Sequence, residues 1–208
     1  MVRNSLFIRK KIIFVFIFIL AILFFTTINI KYSKKNYALN IVKINQIFSE
    51  KNKQNAFLNE ISEKSLINKF TKLYQDYTSS NIEYYVNDLY DENVYFIDPI
   101  HQIGGLNNVK KYFHLMTKPI ESCRFEINSI MNDKNNYFVR WDMYLISKAS
   151  PSKKIVTTGM THFIVNSSEK IVFHQDFWDL SSLYDELPIV SFWSKLVKER
   201  MLGKLNEK

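Results

Sequence analysis

Four successive segments between residues 122 and 180 alternate apolar and polar side chains with the period of two that a β-strand imposes. Short polar stretches, DKNN at 133–136 and NSSE at 166–169, are typical of hairpin turns between such segments. The pattern therefore predicts four antiparallel strands in succession, at Ser122–Asp133, Tyr137–Leu145, Ile155–Val165 and Ile171–Leu180.

Three amphipathic helices are predicted before these strands. Apolar residues recur at steps of four, three and four in the first helix, and the next two helices span Ile82–Leu89 and Leu106–Met116. The stripe of the first helix consists of Leu66, Phe70, Leu73 and Tyr77. Helices followed by a run of antiparallel strands predict an α+β fold.

The stretch YDENVYFIDPIHQIGGL, Tyr90–Leu106, connects the second and third helices. Its sequence predicts a short strand at Val94–Ile97, then an acid, a proline and a loop that two glycines close. Asp98 stands where the strand ends, among apolar neighbours, which suits a carboxylate at the mouth of a cavity. A carboxylate that only caps a turn is the alternative, and the residues leave both interpretations open.

Two segments together resemble the nuclear transport factor 2-like superfamily: LYDENVYFIDPIHQIGGLNNVKKYF, from Leu89, and KIVFHQDFWDLSSLYDELP, from Lys170. The more detailed resemblance is to its SnoaL-like branch, which is named for polyketide cyclases and also contains ketosteroid isomerases. It covers roughly residues 62–190. The resemblance implies a cone-like fold in which three helices pack in a strongly curved, mostly antiparallel sheet around an internal pocket.

The resemblance also implies the position of a site. Asp98 falls on the position of the isomerases' catalytic base, and the cyclases use an acid from the last strands. On strand parity alone, the aromatic face of the last strand would form the core, whereas the resemblance turns the opposite face toward the pocket. We therefore predict that the catalytic residues are Asp98, His174 and Asp176, and that a ligand contacts Tyr74, Val139, Trp141, Met143 and Trp178.

Two positions depart from the isomerase pattern. Leu73 falls where the isomerases carry a tyrosine, with Tyr74 one residue away, and Gly159 falls near their second, protonated acid. The oxyanion hole of an isomerase is therefore absent or rebuilt, and isomerisation of that kind is not expected. Two carboxylates and an imidazole in an apolar pocket can still act as acid and base.

An uninterrupted apolar run, Ile12–Ile28, has only two threonines as polar members. With residues 29 and 30 it approaches the ~20 residues that span a bilayer. A cleavable signal peptide is the alternative, but no small-residue cleavage site follows the run, so a retained single-pass anchor is predicted. The short basic tail favours a cytoplasmic N terminus, which would put the globular domain on the outer, periplasmic side of the inner membrane.

These features divide the chain into a basic tail at 1–11, a transmembrane helix at 12–30, a linker or helical stalk at 31–55, a SnoaL-like domain at 56–188 and a basic amphipathic helix at 189–208. The last segment carries five basic and two acidic residues beside Phe192 and Trp193. It can lie on an anionic membrane surface, or pack on the domain with its basic side in water, and the residues leave both open.

The net charge of +8 is concentrated at the N terminus, where residues 1–35 hold seven basic residues and no acid. The remainder carries 21 basic and 20 acidic side chains, so the domain lacks the basic surface that nucleic acid requires. Cys123 is predicted to be buried, and the four histidines show no metal-ligand spacing, so no metal or cofactor is expected. The expected partners are the lipid bilayer, a small apolar ligand and a second copy of the chain.

The sequence thus favours a membrane-anchored domain that binds or transforms a small apolar molecule by acid–base chemistry. The alternative is a non-catalytic assembly or interaction module of a bacterial envelope complex. Such a module would use its outer surface and would not need acids inside the cone.

Overall fold

The computed structural model describes residues 15–22, 41–51, 60–187 and 190–206. The chain divides into two units, Met1–Ile47 and Phe48–Lys208. In the first unit, residues 15–22 and 41–47 are helical. The second unit holds residues 48–51, which are also helical, and every element described below.

Three helices form one layer of the second unit, as the apolar stripes predict. They are α1 (Glu60–Gln75), α2 (Ser79–Leu89) and α3 (Leu106–Thr117). Thr78 caps α2, because its hydroxyl accepts a hydrogen bond from the Asn81 N–H at 3.5 Å. The apolar stripes are buried, and each large apolar side chain removed from water contributes about 1.5–3 kcal/mol to folding.

Six strands form a single curved, mixed sheet in the order β2-β1-β6-β5-β4-β3. The strands are β1 (Tyr90–Ile97), β2 (Gln102–Gly104), β3 (Ile120–Asp133), β4 (Asn136–Ser147), β5 (Ser150–Val165) and β6 (Ile171–Trp178). Only β1 and β6 are parallel, and the other neighbours are antiparallel. This arrangement confirms the α+β fold and the four predicted strands, with bounds that differ by a few residues.

The structure adds two features that the sequence pattern did not predict. The strand predicted at Val94–Ile97 begins at Tyr90, which pairs with Ile171 before a bulge shifts the register. The loop after Asp98 contains the short strand β2, which pairs with β1. Both depend on partners distant in sequence, so local periodicity could not reveal them.

Both predicted hairpin turns are present, each with one residue in the left-handed region: Lys134 at φ 58° and Glu169 at φ 62°. After β6, the short helix α4 (Leu180–Tyr184) begins at Asp179, whose side chain accepts a hydrogen bond from the Ser181 N–H at 2.9 Å. Asp179 therefore caps the first turn of this helix. The last helix, α5, spans Val190–Asn206.

The inner face of the sheet packs against the three helices. Alternate residues of β4 and the first half of β6 are buried there, and His174 of β6 is fully buried. Pairing across the sheet places Gly159 of β5 between Trp141 and Trp178, and Thr161 beside Asp176. Cys123 of β3 is buried, as predicted.

The outer face of the sheet carries an aromatic cluster around His162. The ring centroid of His162 lies 4.5 Å from that of Phe138, 5.4 Å from Phe48 and 5.6 Å from Phe173. Its Nε2 lies 3.2 Å from Oδ1 of Asn136. Burial lowers the pKa of His162 to about 4, so this imidazole is neutral near neutral pH.

Most of the predicted membrane span, 12–30, lies outside the described residues. Within the ranges that are described, no helix is both long and apolar enough to cross a bilayer. Residues 41–51, in the predicted linker or stalk, are helical.

Candidate active site

An apolar cavity lies between the inner face of the sheet and the helices. Its volume is about 100 Å³, and its walls are mainly aromatic and aliphatic side chains from α1, α3, β3, β4 and β6. Two carboxylates, Asp98 and Asp176, interrupt these apolar walls. A carboxylate in such surroundings needs hydrogen-bond partners, and the two acids obtain theirs in different ways.

Asp176 lies on β6, on the inner face of the sheet. Its Oδ1 accepts hydrogen bonds from Nε2 of His174 at 3.0 Å and from the Thr161 hydroxyl at 2.5 Å. The Thr161 oxygen in turn accepts the indole N–H of Trp141 at 2.8 Å. Within the described part of the chain, Oδ2 of Asp176 has no hydrogen-bond partner, so one oxygen of this carboxylate is available to a ligand.

A second chain of hydrogen bonds reaches Asp176 through His174. Nδ1 of His174 lies 3.0 Å from the Tyr90 hydroxyl, which lies 2.9 Å from the Tyr74 hydroxyl. Burial raises the pKa of both tyrosines, so both hydroxyls keep their protons. Every donor is satisfied when Tyr74 donates to Tyr90, Tyr90 to Nδ1 and the His174 Nε2–H to Asp176. This pattern of donors corresponds to the Nε2–H tautomer of His174.

Asp98 lies beside Asp176, one position beyond the pairing of Ile97 with Gln175, and is held there by the loop that follows β1. Its Oδ1 accepts the backbone N–H groups of Ile100 at 2.7 Å and His101 at 2.6 Å. Its Oδ2 accepts a short hydrogen bond from the Tyr112 hydroxyl of α3. Both interpretations of Asp98 are thus met: it closes a turn and also lines the cavity. Since both oxygens are already engaged, it is less available as a base than Asp176.

Both carboxylates act on the hydroxyl of Tyr112. Burial, its hydrogen bond to Asp98 and the negative charges of Asp98 and Asp176 all raise the pKa of its hydroxyl. The phenol therefore stays protonated and acts as a donor. Its single O–H is donated to Asp98, so Tyr112 holds that carboxylate and its proton is not free for a ligand.

Gly159 explains one departure from the isomerase pattern. A Cβ atom at this position would lie 2.3 Å from Cη2 of Trp141, far inside van der Waals contact. The indole therefore occupies the space in which the isomerases, by the resemblance, carry their second acid. At the other departure, Tyr74 lines the cavity and Leu73 does not, although the Tyr74 hydroxyl is bound to Tyr90.

The predicted site residues fall into three groups. Those that line the cavity are Tyr74, Asp98, Trp141, Met143, Asp176 and Trp178. His174 lies behind Asp176, fully buried, and does not line the cavity. Val139 shares the inward face of β4 but is buried in the core away from the cavity.

Three residues of the network were not predicted as site residues. Thr161 could have been found from parity, because it is a polar residue on the inward face of β5. Tyr112 fits the apolar periodicity of α3, so the sequence does not show that its hydroxyl binds a residue at the end of a strand. Tyr90 gives no signal at all, since its role depends on the parallel pairing of β1 with β6.

A second cavity, of about 490 Å³, lies beside the first. It is bounded by the ends of β4 and β5 and by α4 and α5, and Lys153 and Lys195 are among its charged residues. The two cavities share the apolar residues Met116, Ile120, Leu145 and Leu183. Among the described residues, no three His, Cys, Asp or Glu side chains are grouped to hold a metal ion.

Solved structures share this fold at low sequence identity. A protein with a ketosteroid isomerase-like fold from Catenulispora acidiphila, solved with trimethylamine, is 15% identical with a TM-score of 0.52, over 59% of this chain and 93% of that one. A candidate SnoaL-like polyketide cyclase from Jannaschia is 9% identical with a TM-score of 0.52, over 60% and 94%. A candidate hydroxylase from Streptomyces galilaeus is 13% identical with a TM-score of 0.50, over 72% and 99%.

The second unit therefore has the fold of these ketosteroid isomerase-like and SnoaL-like structures. No curated protein sequence matches the chain. By its sequence, the chain belongs to the family of uncharacterized conserved proteins DUF2358, which matches residues 65–174, just over half of its length.

Proposed function

We propose that the domain binds a small, largely apolar molecule in the cone, and that Asp176 is its principal polar contact and proton acceptor. The observation that carries this proposal is the carboxylate of Asp176. It is largely buried in an apolar cavity, both of its hydrogen bonds go to Oδ1, and Oδ2 has no partner among the described residues. An accessible carboxylate oxygen without a protein partner, set in apolar walls, favours a hydrogen-bonding ligand.

The size of the two cavities limits the ligand. About 100 Å³ holds only a small group, whereas pockets for small molecules usually measure about 300–1,000 Å³. The neighbouring cavity of about 490 Å³ shares four apolar wall residues with the first. We infer that the reacting end of the ligand enters the inner cavity, and that its larger apolar part occupies the outer one.

The roles of the three acid–base candidates follow from their contacts. Asp176 is the base, whereas the hydroxyl of Tyr112 donates its proton to Asp98 and holds that carboxylate in place. His174 does not reach the cavity, so it is a positioning residue: it fixes Asp176 and connects it to Tyr90 and Tyr74. Asp98 positions Tyr112 and closes the loop after β1.

Asp176→Asn tests this proposal, because asparagine keeps an acceptor oxygen for His174 and Thr161 and replaces the other oxygen with an amide. Full-length protein is purified from membranes in mild detergent, and bound small molecules are identified by native mass spectrometry. Binding of the neutral fluorescent probe 1-aminoanthracene is measured in parallel. We expect Asp176→Asn to lose the co-purifying molecule and Asp133→Asn, an exposed carboxylate on the hairpin, to retain it.

A second comparison separates binding from folding. Asp98→Asn is expected to lower the free energy of unfolding by about 1–3 kcal/mol, since a neutral amide oxygen is a weaker acceptor of the two backbone N–H groups and the oxygen that accepts from Tyr112 is lost. Asp176→Asn is expected to change ligand binding more than stability. The proposal is wrong if neither variant alters the bound molecule or the probe, or if a stable protein complex without a ligand is recovered from both.

We also propose that residues 12–30 anchor the domain in a membrane, with the domain on the outer side. The support is the apolar run itself and the helical residues 15–22, whose large side chains are exposed, with Phe16 and Phe18 at 63% and 62%. A continuous run of exposed large apolar side chains favours an apolar environment over water. Full-length protein that alkaline carbonate releases from membranes would contradict the anchor. A C-terminal reporter that is active only outside the cytoplasm tests the orientation.

A further inference from the structure

The helix α5 is oriented with its polar side toward the domain. The Ser194 hydroxyl and Nζ of Lys198 both bind Asp185, at 2.6 and 2.5 Å. Ser191 and Lys195, on the same side of the helix, line the outer cavity. An amphipathic helix that packs on a domain in water shows the opposite orientation, with its apolar side inward.

The outward face of α5 is therefore apolar. We define it by the residues Phe192, Trp193, Leu196, Val197 and Met201, which are exposed by 64%, 55%, 40%, 57% and 69%. Two aromatic side chains, Phe192 and Trp193, lie together in this face with their ring centroids 5.4 Å apart. An exposed apolar surface of this kind on one side of a helix marks a place where another surface binds.

We propose that the outward face of α5 docks on the surface of an anionic lipid bilayer. Segment 189–208 carries five basic and two acidic residues, and Arg200 is exposed beside the apolar residues. Lys195 and Lys198 lie on the side of α5 toward the domain, so Arg200 is the described basic side chain in the outward face. Exposed tryptophan and phenylalanine with a basic residue on one helix face suit a helix that lies in the plane of a membrane interface. The proposal depends on neither the cavity ligand nor the anchor at 12–30.

Charge favours a lipid surface over a second copy of the chain. In a dimer with twofold symmetry the same face meets itself, so the cationic Arg200 of each copy would face a surface of the same sign. Anionic lipid headgroups instead complement this charge, and each basic residue near such a surface contributes a roughly fivefold gain in binding.

Docking in this orientation also has a consequence for the cavities. Ser191 and Lys195 line the outer cavity from the other side of α5. The mouth of that cavity would therefore lie close to the lipid headgroups, which gives an apolar molecule a short path from the bilayer.

Quenching of Trp193 fluorescence tests the proposal in the full-length chain. The protein is reconstituted into vesicles of phosphatidylcholine, with or without phosphatidylglycerol, that contain a doxyl-labelled lipid. Quenching is compared with that of Trp193→Phe, which leaves only Trp141 and Trp178 as a background. This local readout is independent of how the N-terminal segment binds the vesicles.

We expect the Trp193 signal to be quenched in vesicles with phosphatidylglycerol, and much less in phosphatidylcholine alone or at high salt. Arg200→Gln should lower the ratio of docked to undocked protein about fivefold. Lys111→Gln, the same loss of charge on the exposed side of α3, should leave it unchanged. Unquenched Trp193 in the anionic vesicles would overturn the proposal. So would a blue shift of Trp193 emission that follows protein concentration without lipid, because that result indicates self-association.

Discussion

Replacing Gly159 by alanine should destabilise the domain through the indole of Trp141. The added methyl group would lie 2.3 Å from Cη2, 2.6 Å from Cζ2 and 2.8 Å from Cζ3 of that ring, where ordinary contact begins at about 3.4 Å. The ring cannot yield easily, because Trp141 is 3% exposed and its N–H is bound to Thr161 at 2.8 Å. Gly159 has no left-handed backbone conformation, so the cost is one of space.

The expected cost can be worked from these contacts. Overpacking of a rigid core costs about 1–3 kcal/mol. Tilting the indole away breaks its hydrogen bond to Thr161, which adds about 1 kcal/mol. Alanine leaves the unfolded chain less conformational freedom than glycine does, and this effect offsets about 0.4–1 kcal/mol of the cost. We therefore expect the free energy of unfolding to fall by about 1–3.5 kcal/mol.

Urea unfolding followed by far-ultraviolet circular dichroism measures this change without relying on tryptophan emission. Gly203→Ala is the matched control: Gly203 lies in α5 with no atom within 4 Å of its added Cβ, so alanine there should stabilise slightly. In a Trp141→Phe background, which removes the outer ring, Gly159→Ala should cost less than about 1 kcal/mol. An equal cost in both backgrounds would refute the reasoning.

Three further outcomes are expected. Tyr90→Phe should lose about 1–3 kcal/mol in urea unfolding, because two buried hydrogen bonds lose their shared hydroxyl, whereas Tyr84→Phe, at an exposed position, should change little. The pKa of His162 is about 4 in the fold and 6.5 in the reference state, so the unfolded chain binds the extra proton. Stability should fall as pH drops from 6.5 to 4, by up to about 1.4 kcal/mol per pH unit, and His162→Gln should remove that slope. Burial raises the pKa of Cys123 to about 12, so iodoacetamide should label it only after unfolding, as mass spectrometry can show.

The elements with strong periodicity were predictable from the sequence. The stripes of α1, α2 and α3 and the alternation of β3 to β6 are local patterns, and the structure has the same elements with somewhat different bounds. The strand β2 and the early start of β1 were not predictable, because their hydrogen bonds depend on segments far away in the chain. The resemblance, and not strand parity, predicted that His174, Asp176 and Trp178 are directed toward the pocket.

The candidate site was predictable as a set of residues but not as a set of roles. Asp98 and Asp176 both line the cavity, as expected, yet their oxygens differ in what they already bind. The number of free lone pairs on a carboxylate depends on distant partners such as Tyr112 and Thr161. Neither a motif nor a spacing in one sequence contains that information.

The same difference decides how this pocket can work without an isomerase oxyanion hole. The indole of Trp141 fills the space beside Gly159, and the Tyr74 hydroxyl is hydrogen-bonded to Tyr90. Tyr77 also lines the cavity, burial raises the pKa of its hydroxyl, and that hydroxyl has no hydrogen-bond partner among the described residues. A molecule that satisfies both groups must therefore accept a hydrogen bond from Tyr77 and offer an N–H or O–H group to Asp176. This requirement excludes a pure hydrocarbon and favours an apolar molecule with one polar end, which the inner cavity of about 100 Å³ has room to hold.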